Sequence, residues 1–353
     1  MGNYKLKKIV QNMRRIISDN PLTLDGETFK EKLSEKYLGD HIHSEGLAKS
    51  AALTVEKRYW PTVSASLEIR TILEDYRVNV CGGANTGITI FESAVIPMLF
   101  NSSETWDQID EATVQKLDKL QNKVIQYIFC TPRSTPQPIL NWDSGMLPAF
   151  YRILQKKLNF LFHLSQLDDE SLAKETLDVQ EKYNFPGLST EMKPWLKQFG
   201  LESYVENKEP KISKASFSKK VKENIIAVCE KELLEKMKSY KKLTQGPIFN
   251  GDVEETFGKK PYINQLPLAN ARETFKFRSK MYDVAFNYKH QGNNAENLWK
   301  CTSCQSAIES QDHVLFCPAY AQLREGKSLD SDKDLSDYLM KVLIIREKLK
   351  ISK

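Results

Sequence analysis

Cys301-Thr302-Ser303-Cys304, then eight residues, His313, three more residues and Cys317 form the stretch whose spacing specifies a chemistry. Two thiols separated by two residues can bend round one tetrahedral ion. A histidine and a cysteine at i and i+4 present both side chains to the same side of one helical turn. The set offers three sulfurs and one nitrogen, which suits a structural Zn²⁺ and leaves no position open for catalysis. Three of the six cysteines and one of the five histidines fall within these 17 residues, which argues against chance scatter.

Outward from this cluster, the chain is long enough, at 353 residues, for more than one core, and 41% hydrophobic residues is ordinary for a globular protein. Net charge is +5, a mild excess that permits a polyanionic partner without requiring one. Cys81, Cys130 and Cys229 are isolated from one another and read as inert core thiols. With the metal-type cluster they predict a reducing, intracellular setting, cytoplasm or nucleus, and no disulfide framework. No apolar run is long enough to span a membrane, and the N-terminus lacks the apolar stretch of a secretory signal. The first 18 residues are basic and free of acids, as in an organelle presequence, but their long apolar stripe reads as a folded helix.

Hydrophobic periodicity predicts a mostly α chain with a small N-terminal β-hairpin. A helix is expected over about Tyr4–Ser18. Leu22–Leu24 and Glu27–Phe29 flank Asp25-Gly26, a preferred two-residue hairpin turn, and Tyr37–Ile42 reads as a third strand. Helices follow over about Leu47–Tyr76, interrupted or kinked at Pro61, with Leu53, Leu67, Ile69, Ile72 and Leu73 inward. Others are expected over Ile88–Ile96, Asp110–Phe129, Pro148–Leu164, Ser171–Tyr183 and Leu188–Phe199. The C-terminal half adds Phe217–Tyr240, Leu268–Tyr282 and a last amphipathic helix from Leu335 to Leu349. Prolines 132, 136 and 138 mark a loop. Ser102-Ser103 has no nearby base, Gly82-Gly83 lacks the lysine of a phosphate loop, and His41 and His43 have no third ligand nearby.

Residues 205–300 hold 19 Lys/Arg against 12 Asp/Glu. Lys211, Lys214, Lys219, Lys220 and Lys222 begin one helix; Arg272, Lys276, Arg278 and Lys280 lie along another, interleaved with Phe275, Phe277 and Tyr282. Such mixing suits phosphate contacts plus base stacking, and equally suits a solvated helix whose aromatics face a core.

Several segments, in order, resemble the C-terminal part of a non-LTR retrotransposon reverse transcriptase. Tyr37-Leu38-Gly39 is similar to the segment after the palm; Ile96-Pro97 with Glu104-Thr105-Trp106, and then Leu120-Gln121, to the thumb; and Trp299-Lys300-Cys301 with His313 and Cys317-Pro318-Ala319-Tyr320 to the terminal CCHC knuckle. The resemblance implies a palm-to-thumb remnant over 1–43, a helical thumb-like domain over 44–205, a basic helical linker over 206–295, and a knuckle with a C-terminal helix over 296–353. Those polymerases hold two Mg²⁺ ions on paired aspartates of a palm hairpin. The one Asp-Asp pair here, Asp168-Asp169, falls between helical patterns. The expectation is therefore a non-catalytic fragment, truncated or co-opted, that begins downstream of the palm hairpin. It would carry one zinc and bind RNA or DNA through Lys219, Lys220, Lys222, Arg272, Lys276, Arg278 and Lys280. The alternative is a zinc-stabilised protein-interaction module, with a separate polymerase or other protein as partner.

Overall fold

The computed structural model describes residues 23–24, 27–28, 33–37, 40–43, 46–75, 81–106, 109–206, 211–244, 256–288 and 299–351. The helix expected over 4–18 lies outside them. The expected hairpin is present as β1 (Thr23–Leu24) and β2 (Glu27–Thr28), with Leu24 opposite Glu27. The single strand expected over 37–42 is instead a second hairpin, β3 (Ser34–Tyr37) with β4 (Asp40–His43), paired Tyr37 to Asp40. Its β4 edge is closed by a helix. The amides of His41 and His43 donate to Thr54 Oγ1 and Ser50 Oγ, each at 2.8 Å, and Asp40 pairs with Arg58 at 2.6 Å. An unpaired strand edge thus finds acceptors without a further strand.

Those hydroxyls belong to α1 (Leu47–Asp75), which passes through Pro61 unbroken. Its buried face is Ala51, Thr54, Val55, Thr62, Val63, Ser66, Ile69 and Leu73. Leu67 and Ile72, expected inward, are exposed. The face is hidden from hydropathy because it carries hydroxyls, and these are satisfied locally: Thr62 Oγ1 donates to the Arg58 carbonyl and Ser66 Oγ to that of Thr62.

The next helical rod is α2 (Gly83–Ile90), a π-turn (Phe91–Val95) and α3 (Ile96–Phe100). The helix expected over Ile88–Ile96 instead begins at Gly83 and continues through Pro97 to Phe100. The π-turn just before Pro97 widens the ladder where that residue has no N–H to give. Gly82 begins the rod at φ 79°, and a Cβ there would meet the Asn264 carbonyl oxygen at 3.1 Å. Then come α4 (Glu111–Phe129), capped by Asp110, and α5 (Gln137–Ser144), a helix where the proline pattern predicted loop. Pro138 sits at its first turn, where a missing N–H costs nothing. The chain continues as α6 (Ala149–Ser165), α7 (Leu172–Lys182), α8 (Leu188–Phe199), α9 (Glu202–Glu206), α10 (Lys214–Lys238) and α11 (Lys241–Thr244). After α12 (Pro261–Gln265) and α13 (Leu268–Arg278) come the short helices α14 (Gln311–Phe316) and α15 (Ala321–Arg324), then α16 (Asp332–Ile351).

Three apolar clusters hold these helices together. The first joins α1 to α4 with the beginning of α6, and takes in Tyr262, Ile263, Leu268, Ala271 and Phe275 from α12 and α13. The ring of Phe275 stacks on Phe129 at 4.2 Å. The second joins α5–α8 to α10, where Phe217 stacks on Phe162 at 4.1 Å. The third packs α16 against the Cys/His segment and includes Phe277, Tyr282 and Val284. The basic stretch expected as one linker over 206–295 is therefore shared among all three clusters. Each of its helices has an apolar face that a neighbour covers, which charge counting along the chain does not register.

Candidate metal centre and basic surface

A short antiparallel ribbon builds the first half of the cluster. Lys300 bridges to Ile308, Cys301 N donates to Ala307 O at 2.8 Å, and Glu309 N donates to Trp299 O at 2.7 Å. The ribbon turns through Cys301–Gln305, with the amide of Gln305 closing on the Cys301 carbonyl and Gln305 itself at φ 58°. The second half is α14. Ser310 caps it by accepting from the His313 amide, and Cys317 ends it in an extended conformation. Pro318 follows, so the helix cannot run on.

These two halves bring all four ligand atoms within 4.8 Å of one another. Cys301 and Cys317 Sγ are 3.8 Å apart, and Cys304 Sγ is 3.3 Å from His313 Nε2. A tetrahedral zinc with Zn–S bonds of about 2.3 Å has S–S edges of about 3.8 Å. The donor set and its spacing therefore fit a metal ion, and among the described residues it is the one such group. Cys301 and Cys317 are fully buried, while Cys304 and His313 are half-buried. Burial works against the Cys304 thiolate, but hydrogen bonds from the Ser306 hydroxyl and amide and from the neighbouring thiols outweigh it and bring the group down to about 6. Burial pushes Cys317 up to about 12. A bound cation would hold every thiol as thiolate regardless.

The surroundings fix the ligands. Arg324 Nη1 donates to the Cys317 carbonyl at 2.9 Å, Tyr320 and Ser303 share a hydroxyl contact of 2.6 Å, and Tyr338 donates to the Val314 carbonyl. Arg346 of α16 pairs with Glu309 at 3.1 Å, both nearly buried, and Glu309 also accepts from the Ala285 amide. The Cys/His segment therefore has a core, supplied by α16 and by residues 277–284.

The structure divides the expected nucleic-acid residues into two groups. Lys219, Lys220 and Lys222 are exposed on the first half of α10, beside exposed Lys211 and Lys214. Lys220 Nζ lies 5.9 Å from the centre of the Tyr204 ring, and Lys219 is 3.9 Å from Glu223. The α13 group is not a surface. Arg278 is buried and holds Asp143 through Nε at 2.7 Å, so it is withdrawn from the expected interface because the fully buried Asp143 takes it as counter-charge. Arg272 Nε donates to the Ile128 carbonyl at 2.8 Å, ending α4. Lys276 pairs with Glu273 at 2.6 Å and Lys280 with Asp312 at 3.3 Å. Phe275, Phe277 and Tyr282, read as stacking candidates, are core residues.

Of the isolated cysteines, Cys229 is buried, with burial pushing its thiol up to about 12, whereas Cys81 and Cys130 are exposed and not core residues. Asp168-Asp169 is exposed in the turn between α6 and α7. Among the described residues, no helix is long and apolar enough to cross a membrane. No family model, curated protein or solved structure matches the chain.

Proposed function

We propose that this chain is a non-catalytic, metal-stabilised nucleic-acid-binding protein that grips phosphates through the first half of α10. The observation that carries this reading is the run of five exposed lysines, Lys211, Lys214, Lys219, Lys220 and Lys222, at one end of a helix whose opposite face is anchored by Phe217, Val221 and Ile225. A rigid, covered helix presenting unburied ammonium groups suits sequence-independent contact with a polyanion. The Cys/His centre, closed by four protein ligands, has a structural role in this reading, since it leaves no position for a substrate. The segment-by-segment resemblance to the thumb and knuckle of a non-LTR retrotransposon reverse transcriptase supports the same reading.

A mobility-shift titration with duplex and single-stranded RNA and DNA, over a range of salt, tests it. Affinity that falls steeply with salt, and a shallower slope for Lys219→Ala/Lys220→Ala/Lys222→Ala, is expected. Absence of binding at low salt would sink the reading. One observation favours the rival, a protein-interaction module: Leu172, Val179, Tyr183 and Phe185 are exposed on α7 and the turn after it. Salt-independent self-association or capture of a defined protein through this patch, without nucleic-acid binding, would favour it.

A further inference from the structure

Helix α7 has a second apolar face, turned away from the core. Leu177 is the one buried residue of this helix and enters the second cluster. Leu172, Thr176, Val179 and Tyr183, at spacings of four, three and four, run along another side as far as the C-cap, and all are exposed. Leu172 is 77% exposed, more than any other large apolar side chain among the described residues. Thr176 gives its hydroxyl to the Leu172 carbonyl at 2.7 Å, which leaves its methyl to the stripe. Past the helix end the amide of Phe185 closes on the Gln180 carbonyl at 2.9 Å, and the Phe185 ring lies 5.8 Å from that of Tyr183. The stripe is therefore continuous from Leu172 to Phe185, and a continuous exposed apolar stripe marks an interaction surface.

Charge and symmetry together select what covers it. Glu175 and Lys182 are exposed two turns apart, on one flank of the stripe. The helix's own ion pair is Lys174 with Asp178, further round the cylinder. Among the described residues Glu175 has no cation against it and Lys182 no carboxylate; the Lys182 ammonium rests over the Tyr183 ring at 5.5 Å. The midpoint between Glu175 and Lys182 falls between residues 178 and 179, and so does the midpoint between Leu172 and Phe185. The charges and the apolar stripe thus share one centre, and a half-turn about that centre brings each onto its own complement.

We propose that two copies of this chain pair through α7, antiparallel about a two-fold axis beside Val179. Leu172 of each copy lies over Tyr183 and Phe185 of the other, Val179 meets its own counterpart, and Glu175 faces Lys182 of the second copy, twice over. Self-complementary charge along the stripe favours a second copy of this chain over an unrelated protein. Four large side chains fall short of the roughly 800 Å² that each partner gives to a standard interface, so the dimer is a weak one, with a dissociation constant on the order of tens of micromolar. These residues are apart from the lysines of α10, and the inference stands whether or not the chain binds nucleic acid. A dimer that also binds nucleic acid leaves the reading above intact.

Sedimentation velocity of the full chain over about 1–500 µM tests it, with a reversible passage from monomer to dimer expected inside that range. Val179→Lys should weaken the dimer at least about tenfold while helix content and melting temperature hold, because this side chain is not part of the core. Glu175→Lys and Lys182→Glu, each alone, should weaken it about tenfold by setting like charges together. Mixed in equal amounts, these two single variants should form a heterodimer close to the unaltered strength, since both contacts are then Lys against Glu again. An apolar patch that merely sticks would show no such exchange. A chain that stays monomeric throughout the range, a dimer undisturbed by folded Val179→Lys, or single variants that do not recover on mixing overturns the proposal. Should Val179→Lys not fold, the mixing experiment decides the matter.

Discussion

Arg278 Nε lies 2.7 Å from Asp143 Oδ2 inside the protein, with the two side chains 7% and 0% exposed. The pair ties α13 to α5 across 135 residues of sequence, and Asp143 also accepts from the Tyr262 hydroxyl at 2.9 Å. Removing the arginine strands a carboxylate where water cannot reach it. Arg278→Ala should therefore destabilise the fold by about 3–5 kcal/mol, seen as a lower urea midpoint. A surface arginine would lose almost nothing, so an unchanged midpoint would contradict the burial described here.

The lysines give the opposite pattern. Lys219→Ala, Lys220→Ala and Lys222→Ala, singly or combined, should leave the thermal midpoint nearly unaltered because these side chains are exposed. Binding to duplex DNA should lose about 0.9 in salt slope for each phosphate contact removed. Lys276→Ala and Lys280→Ala, whose ammonium groups face Glu273 and Asp312, should change the slope far less. Equal effects from both groups would place the interface elsewhere.

One Zn²⁺ per chain should be counted by native mass spectrometry. Its removal by a chelator, or Cys304→Ser or His313→Ala, should speed hydrogen exchange over 299–325. Structural zinc sites contribute about 10–16 kcal/mol at neutral pH, so the loss should be large. Cys301 and Cys317 share a cluster with Tyr338, Leu339 and Val342, and the loosening should therefore reach α16 while α4, α6 and α10 keep their protection. A metal-free chain with the same protection over 299–325 would refute this.

Alkali should unfold the protein. Tyr262 is fully buried, and burial, reinforced by the Asp143 charge, holds its hydroxyl well above the usual value. Burial likewise pushes Cys229 up to about 12. Both groups keep their protons in the folded state after the unfolded chain has lost them. Their contribution is thus complete below about pH 8.5 for the thiol and about pH 10 for the phenol, and it declines as pH rises beyond those points. Urea midpoints measured from pH 8 upward should fall, with tyrosinate absorbance appearing together with loss of helix. Tyrosinate formation from an intact helical fold would show that Tyr262 is accessible.

The Cys/His cluster was legible in the sequence because its spacing is local: a two-residue spacing and an i, i+4 spacing each bring two side chains together, and the fold sets Cys301, Cys304, His313 and Cys317 close enough to hold a metal ion. The strongly periodic helices α4, α6 and α10 were legible for the same reason, since their apolar stripes repeat at the helical period. Burial was not legible where it depends on a partner far along the chain. Thr62 and Ser66 look like solvent residues until α1 is packed into the first cluster, where their face is buried and each hydroxyl turns back to a carbonyl of its own helix. Arg278, Phe275 and Phe277 look like a binding face until Asp143, Phe129 and Tyr282 are brought against them. A charge or ring on a helix is placed by what packs on it, and only the tertiary structure decides that.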